Sequence, residues 1–217
     1  MGSSGFPIDI VLFAMIAAFL VLRLRSILGR RTGYEPPPVA RPASPGPIVE
    51  GRAVPVDAPK GRVVPEPASA LGQTLAEMAR VDRTFDPSRF LDGAEQAFRI
   101  IVVAYAKGDR ATLEPLLGPE IFATFTDGIA AREAAGEVQT TEIRAIPEAT
   151  ITDAALRGAL ADITVRFVSD QISLTSDAAG RPVQGTDAVT ELTDLWTFER
   201  NLAISDPTWR LVGAHSA

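Results

Sequence analysis

The chain has 217 residues, 46% of them hydrophobic, and no cysteine, so disulfides, zinc–thiolate centres and thiol nucleophiles are excluded. Its single histidine, His215, cannot by itself supply a multi-histidine metal site, and it lies two residues from the C-terminus, a poor place for a Ser-His-Asp triad. The formal net charge of −6 is divided into +3 over residues 1–68 (8 basic, 5 acidic) and −9 over residues 69–217 (13 basic, 22 acidic), a balance that phosphates repel and that argues against nucleic-acid binding.

Residues 10–22 read IVLFAMIAAFLVL without a polar interruption. With their flanks, residues 6–28 form a hydrophobic segment of the length a spanning helix needs, about 17–25 residues. No basic side chain precedes the run, whereas Arg23, Arg25, Arg30 and Arg31 follow it. A secretory signal peptide carries its positive charge before the apolar run, and arginines beside a span favour the cytoplasmic side. The expectation is one transmembrane helix with its N-terminus outside and everything after Arg23 in the cytoplasm.

Residues 29–68 are rich in proline, with Pro36, Pro37 and Pro38 consecutive and seven more up to Pro67. Proline fixes φ and removes a backbone donor, so a disordered, partly polyproline-II tether is expected, with a docking motif for a proline-binding domain as the alternative.

The folded unit is expected over residues 69–217. Ser69 caps a helix with Leu71, Leu75, Met78, Val81 and Phe85 on one face. Asp86-Pro87 reads as an N-cap followed by a first-turn proline. The helix it opens carries Phe90, Leu91, Ala94, Phe98, Ile101, Val102 and Tyr105 on one stripe and stops at Gly108. Asp109 caps a short segment with Leu113, Leu116 and Leu117. Gly118-Pro119 opens a further helix, with Ile121, Phe122, Phe125 and Ile129 inward.

The apolar period then becomes two. Weaker strands are expected over 140–146 and 150–156, and a clear one where Ala161, Ile163, Val165 and Phe167 alternate with polar residues. The apolar positions Ile172 and Leu174 shift phase, which predicts a bulge near Asp170. A turn over 177–180 leads back through Leu192, Trp196 and Phe198, and Asp206-Pro207 precedes a last strand over 208–214. Helices first and a meandering sheet second make an α+β fold, with the helices packed on one sheet face.

The runs FLDGAEQAFRIIVVAYAKGDRATLEPLLGPEIFATF, REAAGE, ITVRFVSDQIS, VTELTDLWTFERN and SDPTWRLV, in this order over about residues 70–215, resemble the Tim-forty-four-like (Tim44-like) family. That family includes the mitochondrial inner-membrane import-motor adaptor, and its bacterial members carry an N-terminal anchor. The resemblance implies a nuclear-transport-factor-two-like or cystatin-like curved antiparallel sheet wrapped over helices. It also implies an adaptor at the bacterial inner membrane that is not an enzyme, needs no cofactor, and meets chaperone or translocation components. The chain lacks the long basic coiled-coil region through which the mitochondrial protein docks its chaperone. The acidic charge of the unit argues against direct binding to anionic lipid, a task left to the anchor.

Asp194 shares strand parity with Leu192, Trp196 and Phe198. A carboxylate on an apolar sheet face acquires a raised pKa and can act as a general base, or it can accept hydrogen bonds from backbone amides as a structural group. Tyr105 is a candidate oxyanion donor or a helix-face tyrosine with its hydroxyl at the rim. Phe98, Phe167, Trp196, Phe198 and Trp209 are candidate walls of a pocket for an apolar chain or peptide, or ordinary core. The leading expectation is a membrane-tethered adaptor. The alternatives are an enzyme using Asp194 as base and a carrier of a hydrophobic ligand.

Overall fold

The computed structural model describes residues 61–216. The anchor expected over 6–28 and most of the expected tether lie outside the described residues. Among the described residues, no helix is long and apolar enough to cross a membrane.

The helical layer follows its capping signals. Helix α1 (Ala70–Val81) starts where the Ser69 hydroxyl accepts the Gly72 amide at 3.0 Å. Leu75 and Met78 are buried and Leu71 packs against them, but Val81, expected inward, is exposed at the last turn. Helix α2 (Pro87–Lys107) opens with the Asp86 carboxylate accepting the Arg89 amide at 2.8 Å and closes on Gly108 in the left-handed region, φ 71°. A short helix α3 (Arg110–Leu113) is capped by Asp109. Helix α4 (Pro119–Ala134) buries Ile129, while Ile121, Phe122 and Phe125 are half-buried against the core.

The sheet has five strands in sequence order: β1 (Gly61–Val63), β2 (Val138–Arg157), β3 (Leu160–Ser176), β4 (Pro182–Asn201) and β5 (Arg210–Ser216). The expected sheet was wholly antiparallel. The observed one is mixed, because β1 pairs parallel with β2 through Gly61–Glu148, Arg62–Ala149 and Val63–Thr150. β1 lies inside the stretch read as tether. Three residues between prolines carry too little pattern to announce a strand, and this one is held from outside itself: Arg62 reaches Asp92 at 2.6 Å and Glu95 at 2.9 Å on α2.

The two weak strands expected before residue 157 are one strand that runs through Pro147. Proline is tolerated there because β2 gains extra residues against β3 in the intervals Ile143/Ala145, Ala145/Glu148 and Ile151/Asp153, and bulges leave amides unpaired. These are also where the expected bulge near Asp170 belongs: the insertion is on β2, and β3 keeps its parity. Phe167, Ser169, Gln171 and Thr175 are all buried on one face, so Ile172 and Leu174 point to the other. His215 sits in β5 opposite Leu195, with its side chain exposed.

The core lies between α2 and the inner sheet face. Phe98 of α2 contacts Phe167 of β3 and Trp196 of β4, each with ring centroids 4.6 Å apart. On β4, the partners of β5 are confined to Asp194–Glu199, so the first half of β4 forms a sheet edge among the described residues. That edge is interrupted at its bulge, where Gln171 faces Thr190 but Ser173 faces Thr186. Interruptions of this kind blunt an edge against unwanted pairing.

A fragment beginning at residue 61 will resist urea better than one beginning at residue 69. The shorter fragment loses the β1 pairing and the contact in which Ser69 donates to the Glu66 carbonyl oxygen at 2.6 Å. The expected difference is about 1–3 kcal/mol, most of it from backbone pairing and little from the exposed ion pairs. Coincident urea midpoints would show that β1 contributes nothing.

Candidate functional site

The seven candidate residues do not gather around one pocket: three of the five aromatic walls fill the core, two line a cleft, and Tyr105 and Asp194 lie apart from that cleft. Phe98, Phe167 and Trp196 form a closed stack at the centre of the core, all buried, with Phe167 and Trp196 edge-on at 6.1 Å. Their positions follow from the helix stripe and the sheet alternation, and together they fill the space between the layers.

Phe198 and Trp209 belong to a second place, an open cleft of about 340 Å³ at the N-terminal end of α2. Trp209 packs on Phe90 at 4.8 Å and Phe85 at 5.8 Å, and Phe90 meets Phe198 edge-on at 6.0 Å. The floor is made of small residues of α2, Gly93, Ala94 and Ala97, and a Cβ at Gly93 would touch nothing. The polar part of the lining is Thr84, Asp86, Arg89, Thr208 and the nearly buried Arg200. Arg200 is fixed: its Nε donates to the Asp206 carbonyl oxygen at 2.9 Å, and its guanidinium lies 2.9 Å from the Asp82 carboxylate. Hydrogen bonds from the Thr84 hydroxyl and amide, followed by the Arg200 charge, hold Asp82 below the usual carboxylate range.

Sequence reasoning missed the contribution of Phe85, Phe90 and Arg89 to this cleft. The available signal was FDPSRFLDGA: two aromatics flank a helix start and small residues follow one turn later.

The third place is the polar end of the core. The Tyr105 hydroxyl does not sit at a rim but packs on α4 over Gly128, where a Cβ would lie 2.7 Å from it. The Arg132 guanidinium stands 4.9 Å from the centre of the Tyr105 ring. Arg132 donates to the carbonyl oxygens of Tyr105 and Ala106 at 2.6 and 3.3 Å and to Gln139 at 2.7 Å. It therefore satisfies the last carbonyls of α2 and joins them to β2.

Asp194 keeps the parity expected of it, opposite Phe167 on β3 and Ser216 on β5. The alternation through residues 192–198 thus holds. Burial pushes its carboxyl above the usual range, and a hydrogen bond from the Ser216 hydroxyl at 3.1 Å pulls only partly back. Backbone amides were the expected structural partners; the partner found is this one hydroxyl.

The Tim44-like domain profile matches residues 71–216, two thirds of the chain. The chain belongs to the Tim44-like domain family. Strand β1 lies just before the matched residues. Among proteins of curated function no sequence matches the chain. Among solved structures, the intermembrane space region of the chloroplast protein ARC6 is similar at 15% identity and a TM-score of 0.46. It covers 61% of this chain and 96% of its own. A protein of the NTF2-like family from Streptomyces avermitilis is similar at 14% identity and a TM-score of 0.35, covering 60% of this chain and 96% of its own.

The Asp194 geometry of this Tim44-like domain has a consequence for stability. The folded-state pKa is raised, so folding favours the protonated carboxyl. The favourable contribution is present below the unfolded value of about 3.9 and is lost as pH rises through the folded value. Asp194→Asn is therefore expected to melt at the same temperature as the natural protein near about pH 4 and at an equal or higher one at about pH 8. A lower melting temperature at the higher pH would make Asp194 a charged structural acceptor.

Proposed function

We propose that this Tim44-like domain is the cytoplasmic part of a single-pass adaptor of the bacterial inner membrane. Residues 6–28 anchor it, and the folded unit meets protein partners in membrane-protein translocation or biogenesis, a chaperone or a component of a membrane complex. The observation that carries this reading is the family match over residues 71–216. The sequence supports the orientation, because four arginines follow the apolar run and none precedes it. The net charge of −9 over residues 69–217 supports protein partners over an anionic membrane surface.

A second reading, an enzyme with Asp194 as general base, draws on the raised pKa of that carboxyl. A base needs a substrate within hydrogen-bond reach. Asp194 is not among the residues around the cleft, which weighs for the adaptor.

Two measurements test the proposal. A phosphatase that works only outside the cytoplasm, fused after Ala217, is expected to be inactive, and a fluorescent protein that matures only in the cytoplasm is expected to be bright. The reverse pattern overturns the orientation. Crosslinked co-purification from membranes is expected to recover proteins with the whole chain that are absent from a control carrying residues 1–68 alone. Identical recoveries overturn the adaptor.

A further inference from the structure

We propose that the slot holding β1 is a docking site for the motif Gly-Arg-x-Val-Pro, and that residues 51–55 of the same chain are a second ligand that exchanges with residues 61–65 in it. The proposal goes beyond the adaptor reading and does not depend on it. The slot is the edge of β2 over Glu148–Thr150 that faces away from β3, with Asp92 and Glu95 of α2 beside it. Its present occupant shows what it reads. Gly61 takes φ 133°, a conformation glycine adopts readily and other residues avoid, and a Cβ there would touch nothing, so the requirement is conformational. The Arg62 guanidinium spreads over two carboxylates: Nε and Nη2 donate to Glu95 at 3.1 and 2.9 Å, and Nη1 lies 2.6 Å from Asp92. A planar fork of this kind suits arginine and not lysine. Val63 and Pro65 are half-buried, whereas Val64 is exposed.

The same residue types stand ten residues earlier. Gly51-Arg52-Ala53-Val54-Pro55 matches Gly61-Arg62-Val63-Val64-Pro65 at every position but the third, where alanine replaces valine. The motif occurs twice in the chain, and Arg41, between Ala40 and Pro42, does not fit it. Each feature the slot engages is therefore present in the upstream copy: the glycine, the fork, an apolar third residue and the proline. The occupant is held loosely enough to exchange. β1 has three residues, and Arg62 and Asp92 are about half exposed, where ion pairs contribute little. With the upstream copy seated, the connection to Ser69 is ten residues longer, and lengthening a loop costs little entropy. Attachment to the same chain gives the upstream copy a high effective concentration at the slot. The larger apolar side chain of Val63 favours the downstream copy, so residues 51–55 are the minor occupant. Where residues 6–28 anchor the chain, each exchange removes ten residues from the stretch between anchor and folded unit, about 31 Å if extended. The slot then sets how far the unit reaches.

The chain has no native cysteine, so introduced pairs report contacts without background. The test treats the whole chain in phosphatidylcholine nanodiscs with a short bis-maleimide and maps the crosslinks by peptide mass. Val63→Cys with Thr150→Cys, partners in the β1–β2 register, is expected to crosslink almost fully. Ala53→Cys with Thr150→Cys is expected to give a smaller yield that rises roughly fivefold when Arg62→Ala removes the downstream clamp and falls again when Arg52→Ala is added. Val56→Cys with Thr150→Cys, three residues out of register, is expected to stay low throughout. Arg62 is exposed, so its variant keeps the fold, which circular dichroism checks. A failed Val63 pair, equal yields from the Ala53 and Val56 pairs, or an Ala53 yield indifferent to Arg52 overturns the proposal. Ala53 crosslinks that form only between two chains overturn it in favour of a second copy as the source. Each outcome is read without a partner protein, so the adaptor reading stands or falls separately.

Discussion

The seating of Phe98 between Phe167 and Trp196 is the contact on which the remaining architecture depends. Helix α2 is the longest helix among the described residues and the one that crosses the inner sheet face. A fully buried phenylalanine at its middle fixes both its height above the sheet and its rotation. Truncating such a side chain removes about 3–5 kcal/mol, a large part of the stability of a domain this size. Once α2 is placed, Phe90 falls beside Phe198, and Tyr105 falls under α4. The solid centre has a second consequence: open space is pushed to the start of α2, where the residues are glycine and alanine.

The opposite end of α2 is treated differently. There the inner sheet face becomes polar, with Ser169, Gln171 and Thr175 buried. Such groups are tolerated only when bonded. Gln171 donates to the Ser169 hydroxyl at 2.8 Å, and Arg132 draws the α2 carbonyls and Gln139 into one network. Asp194 lies where the apolar and polar halves meet. Its raised pKa follows from that border position: it is desolvated by the aromatic side and receives one hydroxyl from β5.

Much of this was legible in the sequence, for a local reason. Ser69, Asp86-Pro87, Gly108, Asp109 and Gly118-Pro119 all act within a turn of themselves, and each marks a helix boundary in the structure. The alternation at 161–167 and 192–198 gave the facing of both central strands. What escaped depends on contacts distant in sequence. β1 exists because β2 and Arg62 hold it. Pro147 sits within a strand because bulges absorb it. Ile172 and Leu174 misled because part of the outer face is apolar too. The aromatic candidates were grouped by type, and only the fold divides them between a filled core and an open cleft. Gly72 shows the same dependence: a Cβ there would lie 2.0 Å from the Glu66 carbonyl oxygen, a constraint set by the path of the preceding chain.

The cleft is assembled from three separate stretches, residues 84–97, 198–200 and 207–209, with Leu116 at its border. Their relative position is set by Arg200, which ties β4 to Asp82 at the end of α1 and to the backbone at Asp206 in the β4–β5 loop. Both of its partners are internal, so the guanidinium is positioned before any ligand arrives. An ion pair this shielded is kept at a desolvation cost, and losing one partner would strand the other. Arg200 therefore acts on the shape of the cleft, holding its stretches in register through two internal contacts.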